Sequence, residues 1–134
     1  MAARSILHHK QPLWTRSAVD RKDLNLWNPP GGGVEKEETP WDAAIRKVRE
    51  ETGLEVAVKR LVGIYSKRGR DGITFCFECI VTGGSLHVSD EAEEHRYFAL
   101  EHLPLRLSPN WREYVQDWAS ETTPKTRRQE GPPT

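Results

Sequence analysis

The sequence predicts a single α/β or α+β domain built on a mixed sheet, and three observations predict it. β-type runs and helical segments interleave along the chain. Two of the runs, Leu61–Ser66 and Ile73–Val81, flank the short loop Arg68–Gly72 and read as an antiparallel hairpin. The segment Thr39–Gly53 carries the start and stop signals of a helix. At 134 residues the chain has room for one domain of ordinary size.

Taken in order, Ala3–Leu7 and Leu13–Val19 are short β-type runs separated by the polar turn His8–Pro12. Pro12 cannot donate to a ladder, so it suits a strand start or an edge. Asp20–Asn25 is a polar connection, after which Leu26-Trp27-Asn28 runs into Pro29-Pro30-Gly31-Gly32-Gly33. In the helix that follows, Thr39 is a good N-cap, Pro40 fits the first turn and Asp42 imitates a capping box. Gly53 stands where a helix stops in a left-handed residue. Trp41, Ala44, Ile45, Val48 and Thr52 recur at about 100° per residue and are the expected buried face. Lys47, Glu50 and Glu51 fall on an adjacent arc, because positions three and four apart stack on a helix surface.

Along the second hairpin strand, Ile73, Phe75, Phe77, Cys79 and Val81 share one face. Gly83-Gly84 is expected as a turn, His95–Leu100 as a strand and Pro109–Trp118 as a last helix. Trp111, Tyr114, Val115 and Trp118 recur there at helical spacing and would dock that helix on the sheet. From Ser120 onward no residue suits a core. The expected division is therefore one domain over 1–119 and a disordered tail over 120–134.

Composition excludes several classes. Twenty Lys and Arg balance twenty Asp and Glu, so the formal charge is zero. That balance argues against a nucleic-acid or membrane-surface binder, which needs a basic excess. Hydrophobic residues make up 36%, enough for a core. No stretch approaches the roughly 18 apolar residues of a membrane span, and the start of the chain lacks a signal-peptide core. Two cysteines are too few for a disulfide scaffold, which points to a reducing, cytoplasmic setting. Cys76 and Cys79, at an odd separation on a strand, would face opposite sides and neither bridge nor share a zinc.

Two carboxylates on a rigid helix beside a glycine loop suit a hard divalent cation, most naturally Mg2+. Partial coordination by such a pair leaves positions for waters and phosphate oxygens, as metal-assisted phosphoryl chemistry needs. On residue types alone, Arg46, Lys47, Arg49, Glu50 and Glu51 read more simply as a solvated charged face.

Spacing takes the reading further. Gly32, Glu38, Arg46, Val48, Glu50, Glu51, Gly53 and Leu54 fill eight of the nine fixed positions of a 23-residue pattern, G-x5-E-x7-R-E-U-x-E-E-x-G-U with U bulky and aliphatic. This segment resembles the signature of the Nudix hydrolases. Leu26–Gly32 looks like that family's strand entering the loop, and Asp90–Phe98 with Leu103-Pro104 looks like its late acidic loop, strand and turn. The resemblance implies an α/β/α sandwich with a mixed sheet. It implies hydrolysis of a nucleoside diphosphate derivative (nucleotide sugar, ADP-ribose or nucleoside triphosphate) with Mg2+ or Mn2+, water attacking a phosphorus. Carried over, Glu50 and Glu51 would be metal ligands and catalytic, with the Gly32 carbonyl as a further ligand. Glu38 and Arg46 would form a supporting ion pair, and Glu91 or Glu94 would supply a late acid. The partner so implied is a small nucleotide substrate, with a homodimer left open.

The ninth position departs from the pattern: Lys47 stands where the family has Glu. One negative charge is lost and one positive charge gained where a cation should bind. Three readings follow: a weakened enzyme using Glu50, Glu51 and a loop acid; a catalytic Lys47 that contacts substrate phosphate; or a silent Nudix-fold module that binds a nucleotide or a partner. Arg16, Arg21, Lys22, Lys67, Arg68 and Arg70 could meet phosphates, and Trp27 could stack on a base, with Trp14 and Tyr65 weaker. For each of these, solvation or packing is the commoner fate. His8, His9, His87, His95 and His102 read as solvated. No nucleophile elbow, phosphate loop or dinucleotide fingerprint occurs.

Overall fold

The computed structural model describes residues 1–7, 12–16, 27–67, 72–88, 94–103, 111–120 and 123–129. Its elements are β1 (Ala2–Leu7), β2 (Leu13–Arg16), β3 (Trp27–Asn28), β4 (Gly31–Gly33), α1 (Pro40–Thr52), β5 (Leu54–Lys67), β6 (Ile73–Gly84), β7 (Glu94–Tyr97), a 3-10 turn (Leu100–His102), α2 (Trp111–Ala119) and β8 (Lys125–Gln129). Five strands form one sheet in the order β4-β1-β6-β5-β8, and β3-β2-β7 form a second. The large sheet is mixed: β1 runs parallel to β6 and β5 parallel to β8, while β1–β4 and β5–β6 are antiparallel.

The alternation of side chains along each strand supplies the two cores. Ala3 and Leu7 of β1 and Phe77 and Cys79 of β6 pack with Ala43, Ala44 and Val48 of α1. Ile6 of β1 and Cys76 of β6 point the other way, into a cluster with Trp111, Tyr114 and Val115 of α2. Helix on sheet on helix is the expected α/β/α sandwich. The two cysteines are free, buried and in opposite cores, as their odd spacing requires. The expected docking face of the last helix is also the observed one.

The α1 boundaries follow from its caps. The Thr39 side chain accepts from Asp42 N at 3.1 Å, and Gly53 is left-handed at φ 80°. The buried face differs from expectation in one respect. Trp41 is 52% exposed, and Ala43 takes the inward place. Ile73 and Val81 are likewise exposed at the two ends of β6, while Phe75, Phe77 and Cys79 hold the middle.

Two expectations are corrected. Gly83 and Gly84 are not a turn but the end of β6, paired with Glu55 and Leu54, because β5 starts directly after the helix cap and runs 14 residues. The tail is not wholly disordered: Lys125–Gln129 form β8 along the open edge of β5. An edge strand needs ladder hydrogen bonds more than apolar side chains, so low hydrophobicity does not exclude it. Arg127 donates from Nε and Nη2 to the two Asp117 oxygens, both at 2.8 Å. Tyr65 Oη donates to the same carboxylate at 2.8 Å, so one buried acid fastens β8, α2 and β5. Arg127→Ala is expected to release this strand, with amide exchange at residues 64–66 accelerating roughly tenfold or more. Unchanged exchange there would show that the ladder holds β8 without the arginine. The His8–Gln11 part of the first turn, the hairpin-loop residues 68–71 and Glu91 lie outside the described residues.

Candidate functional site

The site is built where the glycine run of β4 meets α1. Gly31 lies so close to β1 that a Cβ there would come within 2.5 Å of the Ala3 carbonyl oxygen. Ser5 N donates to Pro30 O at 2.9 Å and fixes the entry to the run. The backbone beyond β4 turns through Glu37, at φ 67°, before the helix begins.

Arg46 ties this loop to the helix. Its guanidinium donates to Glu38 from Nε (2.8 Å to Oε2) and Nη2 (3.0 Å to Oε1), a two-pronged match that suits the planar fork. It also donates to Gly33 O at 3.0 Å and to Glu50 Oε1 at 3.1 Å. Glu35 N donates to Glu38 Oε1 at 3.0 Å. The Arg46 hydrogen bond, with that amide, holds the Glu38 carboxyl down at about 2, and Glu38 in turn raises Arg46. A carboxyl held low in the fold contributes stability that is complete above its ordinary 4.5 and is lost as pH falls towards about 2. Melting temperature is therefore expected to fall across that window, and Glu38→Gln should flatten the slope. An identical slope in the variant would remove Glu38 as its source.

Lys47 sits on the next arc. Its Nζ is 3.3 Å from Glu50 Oε2 and 3.8 Å from Glu51 Oε1, and its side chain is only 15% exposed. The stem crosses Gly32, where an added Cβ would stand 2.7 Å from Lys47 Cε. Glu51 is 12% exposed and accepts from Gly31 N at 3.4 Å. Glu50 is 42% exposed. Burial pushes the Glu50 carboxyl up, but hydrogen bonds from Arg46 and Lys47 outweigh it and hold it below its ordinary value.

The donors fit a hard divalent cation: two carboxylates at adjacent positions, with the glycine run in contact with Glu51 through the Gly31 amide. An ammonium already lies between the two acids, which shows that the space between them accepts a cation. Among the described residues no three His, Cys, Asp or Glu side chains converge on a metal position. The Glu94 carboxylate pairs with Arg16 at 2.9 Å and with Arg96 at 2.6 Å. Glu91, Arg68, Arg70, Arg21, Lys22, His8 and His9 lie outside the described residues.

A second group of expected residues meets on the small sheet. Trp27 is half-buried, edge-on to Phe98 at 5.2 Å, with the Arg16 and Arg96 guanidiniums 5.9 and 6.0 Å from its ring centre. Trp14 and Tyr65 are fully buried core residues.

Of the histidines expected to be solvated, His87 is exposed, whereas His95 is half-buried with both ring nitrogens engaged. His87 N donates to Thr52 O at 2.9 Å, and its ring packs on Gly53, so it closes the end of α1. His95 Nε2 donates to His87 O at 2.9 Å, which leaves Nδ1 to accept from the Thr15 hydroxyl at 3.0 Å. Burial first of all lowers the His95 pKa. These contacts brace the helix end that carries Glu50 and Glu51. No spacing in the chain links positions 15, 52, 87 and 95, so nothing local could have revealed them.

The family model for the NUDIX domain matches residues 2–119. An ADP-ribose pyrophosphatase of Methanocaldococcus jannaschii is 40% identical over 93 residues, 66% of this chain and 54% of that protein, so the chain spans about half of its length. A MutT-like protein of Streptomyces ambofaciens is 30% identical over 114 residues, 85% of this chain and 74% of that one. A solved ADP-ribose pyrophosphatase of Streptococcus suis superposes with a TM-score of 0.78 over 94% of this chain and 97% of its own, at 24% identity, a likeness of fold.

Proposed function

This chain belongs to the NUDIX domain family, and from that membership we propose that it is a pyrophosphohydrolase of nucleoside diphosphate derivatives, dependent on Mg2+ or Mn2+. The observation that carries the reading is the Glu50–Glu51 pair, held against the glycine run by Arg46, Glu38 and the Gly31 amide. ADP-ribose is the first substrate to test, since the archaeal relative is named for it; nucleotide sugars and nucleoside triphosphates come next.

When bound, the divalent ion supplies charge to polarise phosphoryl oxygens and to activate water. Glu50, Glu51 and the Gly32 carbonyl are the groups that would hold it. Glu38 works at one remove: it fixes Arg46, which fixes Glu50. Trp27, with Arg16 beside it, offers a ring and a cation to a base and its phosphates, and Arg68 is a further phosphate contact. In the reaction the water oxygen bonds to one phosphorus as the bridging P–O bond breaks. The bridging oxygen leaves with the second phosphate, and water gives up a proton. The products are a nucleoside monophosphate and a second phosphorylated compound. A cytoplasmic setting suits such substrates and two free thiols.

The test is chromatography of products from ADP-ribose, UDP-sugars and nucleoside triphosphates with Mg2+ or Mn2+, with and without chelator. AMP and ribose 5-phosphate formed only with metal would support the reading. The position of Lys47 between the acids favours one rival, a silent nucleotide-binding module. No turnover of any substrate, with nucleotide affinity indifferent to chelator, would establish that rival instead.

A further inference from the structure

Lys47 is neither a solvated helix lysine nor a simple obstruction. Its side chain is 15% exposed, its stem lies across Gly32, the residue of the facing glycine run where a Cβ would block it, and its ammonium reaches both acids. We propose that Lys47 is a tethered cation that occupies the Glu50–Glu51 pair while no divalent ion is bound, and that moves to a phosphate oxygen of the substrate when one is. This rests on the reading of that pair as the metal-holding acids.

The physics is charge counting at short range. The two carboxylates bring two negative charges, Lys47 sets one positive charge against both, and Arg46 sets another against Glu50 at 3.1 Å, so the resting pair is already largely compensated. A divalent ion entering between the same oxygens meets an ammonium a few ångströms away, where repulsion is strong and poorly screened. The ammonium must leave, but four methylenes confine it to the neighbourhood. A diphosphate brought in by the metal is then the nearest anion. Two consequences follow. Metal alone binds weakly, because it must displace Lys47. Metal and diphosphate bind cooperatively, because the diphosphate receives the displaced charge, and the coupling works in both directions. Gly32 has a matching role: only a residue without Cβ leaves the stem its path.

Free Mn2+ can be followed by electron paramagnetic resonance in the wild type, Lys47→Gln and Gly32→Ala. In Lys47→Gln, Mn2+ alone should bind roughly tenfold tighter or more. Saturated with Mn2+, the same variant should bind α,β-methylene-ADP several-fold more weakly than wild type. Gly32→Ala keeps the lysine and the backbone carbonyl, yet its Cβ displaces the stem, so its Mn2+ affinity should move in the same direction as Lys47→Gln. This second variant decides the matter if the first fails to fold. Equal Mn2+ affinity in all three proteins would overturn the proposal and leave the hydrolase reading standing. Absence of Mn2+ binding in every protein would overturn both. Turnover does not enter any of these readouts.

Discussion

Glu51→Gln is expected to lower the proposed pyrophosphohydrolase turnover by roughly a hundredfold or more, a loss of about 3 kcal/mol of transition-state stabilisation, with the fold intact. The substitution keeps the shape of the side chain and an oxygen that can still accept from Gly31 N, now 3.4 Å away. What it removes is a full negative charge from the more enclosed of the two acids, at 12% exposure against 42% for Glu50. Enclosure matters because a charge in a site shielded from water is worth more than the same charge in solvent. The loss should fall on kcat/KM through kcat, since the proposed stacking at Trp27 does not involve Glu51. Steady-state kinetics beside a thermal melt would check it. Activity within a factor of a few of wild type, at unchanged stability, would remove Glu51 from the chemistry.

What was legible in the sequence was legible because the determinants are local. Thr39, Pro40 and Gly53 each act on the backbone within one turn, and the helix runs between them. The eight-residue step from Glu38 to Arg46 spans one loop and two helical turns, and the two side chains do meet. What escaped depends on contacts that sequence order does not encode. Arg127 finds Asp117 only because β8 returns beside β5. His95 meets Thr15 across the small sheet, and Trp41 is exposed although its spacing puts it with the buried positions. The charge of Lys47 could be read from the chain, but its path over Gly32 could not, because it depends on how β4 approaches α1.

Glu78→Ala is the substitution expected to cost most in stability, about 3 kcal/mol, while leaving the active face untouched. Glu78 lies mid-strand in β6, 4% exposed, on the side of the sheet that faces α2. Arg60 Nε donates to one oxygen at 2.7 Å and Trp118 Nε1 to the other at 2.9 Å, while Arg60 Nη2 donates to Trp118 O at 2.6 Å. Burial pushes the Glu78 carboxyl up, but the hydrogen bonds from Trp118 and Arg60 outweigh it and hold it below its ordinary value, so it is charged at neutral pH. Removing it strands a guanidinium that is 25% exposed and an indole N–H at the same point. The cost of such a cut is set by the partners left unpaired rather than by the net value of the pair. For a chain of this length the melting temperature should drop by roughly 10 °C. Glu78→Gln, which retains one acceptor, should lose about half as much. Glu50 and Glu51 belong to α1, on the opposite face, so kcat measured well below the melting point should match wild type. A drop of only a degree or two would mean that Arg60 and Trp118 find solvent without cost. A fall in kcat at full stability would mean that the two faces of the sheet are coupled.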